Sequence, residues 1–231
     1  MALDFLVDNE TVWRYLHILS GITWIGLLYF FNFVNAPLFK FQIKKPYEAN
    51  MAEKATGPVV LKTLFFFRWG AASTLLWGLI LLYVEGSAHG GMGTYLLHNG
   101  MQGYAITMGV FFALVMFFNV WAVIWPRQQK ILANNKAAAA SADEAEKKRL
   151  ADANAPMVKE ATMASRANTW LSVPMLWGMV FGAHGYYGGT TLRSWLFPVT
   201  VLVVVLLLMW MYSQEPKKKD APAAAPAAPK P

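Results

Sequence analysis

Cysteine is absent from this chain of 231 residues. That excludes disulfides, thiolate zinc sites, iron–sulfur clusters and the CxxCH attachment of a c-type haem. Charge is also scarce, at 14% of residues, and it is nearly missing from the long apolar stretches. Acidic residues are fewer than basic ones, 13 against 20. A composition with 56% hydrophobic and 15% aromatic residues lies far from that of a soluble domain and predicts an all-α integral membrane protein.

Five apolar stretches are long enough to cross a hydrocarbon core of about 30 Å as helices of roughly 20 residues. They cover 12–34, 66–84, 104–125, 169–187 and 195–212. Together they predict a five-helix bundle occupying 1–213. Eighteen of the 20 basic residues fall between the first stretch and the start of the second, where Arg68 stands, between the third and fourth, and in the tail, leaving Arg14 and Arg193 opposite. Short loops rich in Lys and Arg stay cytoplasmic, so the N-terminus is expected outside and the C-terminus inside, in a multi-pass protein of a bacterial inner membrane. The net charge of +7 then reads as a topology signal with attraction to anionic lipid, not as nucleic-acid binding. Residues 1–11 hold Asp4, Asp8 and Glu10 without a basic n-region, so the first helix is expected to be an uncleaved anchor.

Between the crossings, the cytoplasmic segment 127–166 is rich in Ala and charge. Asp143, Glu144 and Glu146 precede Lys147, Lys148 and Arg149, which favours a solvated helical hairpin extending the third and fourth helices. Pro126 is expected to kink or stop the third helix. The Pro- and Ala-rich tail, 214–231, cannot bury a core and is expected to stay disordered. The outer segment between the second and third stretches is Gly-rich and reads as a flexible loop. The triplet Leu76, Trp77, Gly78 is echoed by Leu176, Trp177, Gly178, each followed later by Ala-His-Gly, but the spacings to histidine differ, which argues against a repeat. Most of the ten tryptophans flank helix ends, as interfacial belts do.

With cysteine missing, imidazole is the strong metal or haem ligand near the bilayer. His17, His89, His98 and His184 all fall on the outer side. His17 and His184 belong to helices one and four at similar expected depth. Two imidazoles at one level are what a six-coordinate haem b requires, with Arg14 a turn from His17 to pair a propionate. Gly21, Gly26, Gly178 and Gly182 would let a flat macrocycle approach the backbone. Interfacial histidines bonded to water or to a backbone carbonyl are the plainer reading. His89, Met92, His98 and Met101 form a weaker set of copper ligands, thioether favouring Cu(I). Toward the inner side lie Asn32, Arg68, Asn119, Arg166 and Asn168, which read either as interhelical glue or as a substrate site.

The sequence resembles the membrane domain of the bacterial urate oxidase (urate hydroxylase) that is fused to a cytochrome c. The resemblance rests on His17 to Gly26, an H-x3-G-x2-W-I-G pattern. It extends to Phe67-Arg68-Trp69, to Asn119 through Pro126 and Gln128, an N-x6-P-x-Q pattern, and to Ser165-Arg166-Ala167-Asn168-Thr169 with Leu171, Pro174 and His184. It implies a shortened form without the cytochrome c domain, and Thr107 stands where relatives place a further histidine. The function so implied is a b-type haem protein passing electrons in a respiratory or oxidase assembly, with other membrane or cytochrome subunits as partners, and a urate-oxidase-like oxidoreductase if catalytic. An accessory structural subunit and an outer-face copper-binding protein are the other expectations.

Overall fold

A computed structural model describes Phe5, residues 8–36 and 46–184, and Val199, Leu202, Val203 and Leu206; for 46–59 and 183–184 it describes the backbone alone. The expected fifth crossing, 195–212, lies outside the described residues apart from those four positions, as does the tail 214–231. Among the described residues the chain is all-helical, without strands.

Helix α1 spans Glu10–Tyr29 and continues as a π-helical segment, Phe30–Asn35. Helix α2 is Pro46–Ala88, α3 Met92–Leu97 and α4 Gly100–Phe118. A second π-helical segment, Asn119–Ile124, leads into α5, Trp125–Ala140, and α6 is Glu144–His184. Three helices are long and apolar enough to cross a membrane, Glu10–Asn35, Val60–Ala88 and Gly100–Ala140. They mark the chain as a membrane protein. The stretch 169–187, expected as a fourth crossing, begins in the last part of α6, and 185–187 lie outside the described residues.

Each π-helical segment has a side-chain amide on a nearby backbone carbonyl. Asn32 Nδ2 donates to the Leu28 carbonyl at 2.9 Å, and Asn168 Nδ2 donates to the Met116 carbonyl at 3.0 Å. An amide competing for an intrahelical acceptor is a local reason for the helix to widen by one residue per turn. Pro126, expected to kink or stop the third helix, instead sits in the first turn of α5, and the chain stays helical through it. Proline lacks the N–H that the Ala122 carbonyl would accept. Arg127 Nη1 donates to that carbonyl at 3.1 Å, while its Nε donates to Glu160 at 2.7 Å and ties α5 to α6.

The hairpin of α5 and α6 turns at 141–143, where Asp143 Oδ1 accepts from the Ala145 N–H at 2.9 Å and so caps α6. Asn154 stitches its two legs, accepting from Asn134 at 2.8 Å and donating to Asn135 at 2.9 Å. The Arg149 guanidinium, bonded to Glu146, holds that carboxyl below its usual range.

Helix α1 packs along α2, and α4 along α6, making two antiparallel hairpins. The hairpins meet through a core in which Trp24, Leu28 and Phe67 of the first face Met116, Val120 and Met175 of the second. The closest crossing joins α4 to α6. A Cβ on Gly178 would lie 2.5 Å from the Ala105 carbonyl oxygen and 2.7 Å from the Gly109 nitrogen, and one on Gly182 would lie 2.3 Å from Ile106. These two glycines therefore serve helix contact, not the approach of a macrocycle expected from their size, because facing backbone at Gly178 and the Ile106 side chain at Gly182 already fill the space.

Candidate functional site

Above the shared core, the two hairpins line a half-open cavity of about 630 Å³. Its walls come from α1, α2, α4 and α6 and are almost wholly apolar, with Gly21 and Gly26 on the α1 side and Ile106, Met179 and Val180 opposite. That volume falls in the usual range for small-molecule sites, about 300–1,000 Å³. Its few polar lining groups include Arg14, His17 and Glu85.

The half-buried His17 is held from two sides. Its Nδ1 lies 2.9 Å from the Thr74 carbonyl oxygen, and a carbonyl only accepts, so Nδ1 carries the proton. The lone pair is then on Nε2, the arrangement by which a backbone carbonyl orients a metal-ligating histidine. Gly78 supplies the room: a Cβ there would stand 2.9 Å from His17 Cε1. Nothing in the sequence links Thr74 or Gly78 to His17, since only the pairing of α1 with α2 makes them its neighbours.

Arg14 does not stand free for a propionate. It donates to Glu10 and, at 2.5 Å, to Glu85 of α2. Two carboxylates on one guanidinium already meet its charge, which the sequence reading did not foresee because Glu85 comes from another helix.

The Gly-rich segment between α2 and α4 is not the flexible loop expected. Gly90 and Gly91, with φ of +79° and +121°, turn the chain from α2 into α3. Tyr95 of α3, only 4% exposed, reaches the cavity, and burial pushes its phenol above its ordinary range, with Glu85 adding to the shift. Thr107 Oγ1 donates to the Leu96 carbonyl at 2.9 Å and pins α3 to α4. His89 Nδ1 bonds the Glu85 carbonyl at 2.7 Å, while His98, Met92 and Met101 are exposed. Among the described residues no group of three or more His, Cys, Asp or Glu side chains could hold a metal ion.

His184 ends α6, four residues beyond the cavity-lining Val180; its side chain lies outside the described residues.

The polar residues below the shared core divide into two groups. Asn119 donates to Asn168 at 2.9 Å, Asn32 donates to Ser165 at 2.8 Å, and Tyr29 shares a 2.9 Å bond with Ser172. Asn168, Thr169 and Ser172 are fully buried, so α6 is bound to the two π-helical segments by a layer of internally satisfied amides and hydroxyls. Arg68 stands apart from it, its guanidinium 3.7 Å from the centroid of the Trp125 ring.

No family model, curated protein or solved structure matches this chain.

Proposed function

We propose that the chain is a membrane-embedded b-type haem protein of the urate-oxidase membrane-domain type, acting in electron transfer within a respiratory or oxidase assembly. In this reading five helices cross a bacterial inner membrane, with the N-terminus outside, the charged hairpin inside, and other membrane or cytochrome subunits as partners. The observation that carries it is His17 on the wall of an apolar cavity, its Nδ1–H committed to the Thr74 carbonyl and its Nε2 left as the ligand atom.

The residues fit such a group in part. His17 would hold the iron and the apolar walls would exclude water, with His184 proposed as a second ligand. A bound haem would supply reversible one-electron chemistry. Thr74 and Gly78 keep the imidazole in one tautomer and one place. Arg14, already shared by Glu10 and Glu85, is not a propionate partner unless one of those carboxylates gives way.

The test is a dithionite-reduced-minus-oxidised spectrum of the full chain, expressed with haem supplied and purified in mild detergent. A haem α band is expected, and His17→Ala should abolish it while leaving the chain helical. A folded protein with no α band sinks the proposal. The satisfied amide layer favours a second reading, an accessory structural subunit, for which both His17→Ala and His184→Ala would leave assembly and electron transfer intact.

A further inference from the structure

At the inner end of the bundle, away from the cavity, Arg68 lies in an aromatic enclosure. Its guanidinium carbon is 3.7 Å from the Trp125 ring centroid, 5.5 Å from that of Trp121 and 5.8 Å from that of Trp69. Trp69 and Trp121 meet edge to face at 6.0 Å, fixing the enclosure between α2 and the second π-helical segment. The rings attract the positive charge but accept no N–H in the manner of an oxygen. Arg68 Nε is buried without a hydrogen-bond partner, and so is Trp121 Nε1. Among the described residues no carboxylate pairs with Arg68.

Buried donors are nearly always satisfied, so these two unmet N–H groups call for an acceptor from beyond the described residues. A guanidinium fork matches an oxyanion such as phosphate in two directions at once. Around the site, Phe65, Phe66 and Trp69 are each at least half exposed, offering apolar surface next to the charge. Arg68 also opens the apolar stretch 66–84, the level at which headgroups meet hydrocarbon.

We infer that Arg68, with Trp121 and Trp125, forms a phosphate-oxyanion site at the inner end of the bundle, supplied either by an anionic lipid headgroup or by free phosphate. Trp125 positions the guanidinium by stacking, and Arg68 and Trp121 donate to the phosphate oxygens. The site does not depend on the haem reading, since it shares none of the cavity's polar residues.

The full chain, reconstituted in phosphatidylcholine nanodiscs with and without phosphatidylglycerol, tests this by native mass spectrometry of retained lipid. Tryptophan emission is titrated in parallel with inorganic phosphate in phosphatidylcholine alone. Preferential retention of phosphatidylglycerol that falls about tenfold in Arg68→Gln supports the site with lipid as its source. An emission change with phosphate that Arg68→Gln abolishes, without lipid preference, supports it with free phosphate as the source. A wild-type chain with neither response overturns the inference. So does an unchanged response in Arg68→Gln or in Arg68→Lys, which keeps the charge but loses the fork and covers the case in which the glutamine variant does not fold.

Discussion

His17 is defined as much by what lies under it as by its own chemistry. The ring rests on Gly78, and its proton goes to a carbonyl one turn earlier on the same helix. Gly78→Ala gains about 1 kcal/mol of helix propensity, which offsets the contact with a movable ring, so stability should change little. The Thr74 bond should be lost, however, because the new Cβ stands 2.9 Å from Cε1. The expected outcome is a chain with near-normal thermal unfolding whose haem α band is shifted or missing. An unaltered spectrum would show that Gly78 does not seat the imidazole. Arg14 carries the opposite lesson: a cation one turn from a histidine reads as free in the sequence, yet Glu85 is 71 positions away and hydrogen-bonded to it.

Between helices, the decisive contacts are of two kinds, backbone against backbone and amide against amide. At the α4–α6 crossing, a methyl group on Gly178 would meet the Ala105 carbonyl and the Gly109 backbone, neither of which can rotate away. Gly178→Ala should therefore part the helices and cost about 1–3 kcal/mol or more, measured by thermal unfolding in detergent; a neutral result would contradict the close crossing. The contrast with Gly78→Ala is instructive, because the same triplet, Leu-Trp-Gly, makes room for a side chain in α2 and for a helix in α6. Amides bind the same elements lower down. Asn119 and Asn168 were legible as polar groups needing partners inside apolar helices, but that they partner each other depends on how α4 and α6 are aligned.

For the molecule as a whole, the distribution of basic residues predicts which end faces the cytoplasm, and the two hairpins give that prediction a definite test. The chain lacks cysteine, so single cysteines introduced at Thr94, on exposed α3, and at Ala142, in the exposed turn of the α5–α6 hairpin, report without background. An impermeant maleimide should label Thr94→Cys in intact cells and Ala142→Cys only after permeabilisation. The reverse pattern would invert the proposed orientation.

Much of this architecture was legible along the chain because it is local. Apolar length and the charged alternation around Asp143 to Arg149 each depend on neighbours within a few residues. The crossings near 12–34 and 104–125 accordingly coincide with apolar helices, although α2 runs well beyond 66–84, since helix ends outside the apolar stretch are set by packing and capping. What the sequence by itself determined is a helical membrane protein without cysteine. Only the tertiary structure decided that His17 lines a cavity with its proton on Thr74, that Arg14 is committed to two carboxylates, that Gly178 belongs to a helix crossing, and that Arg68 is stacked among tryptophans with donors unmet. Those outcomes depend on which faces of distant helices meet, and a one-dimensional pattern of apolar and charged residues does not specify that.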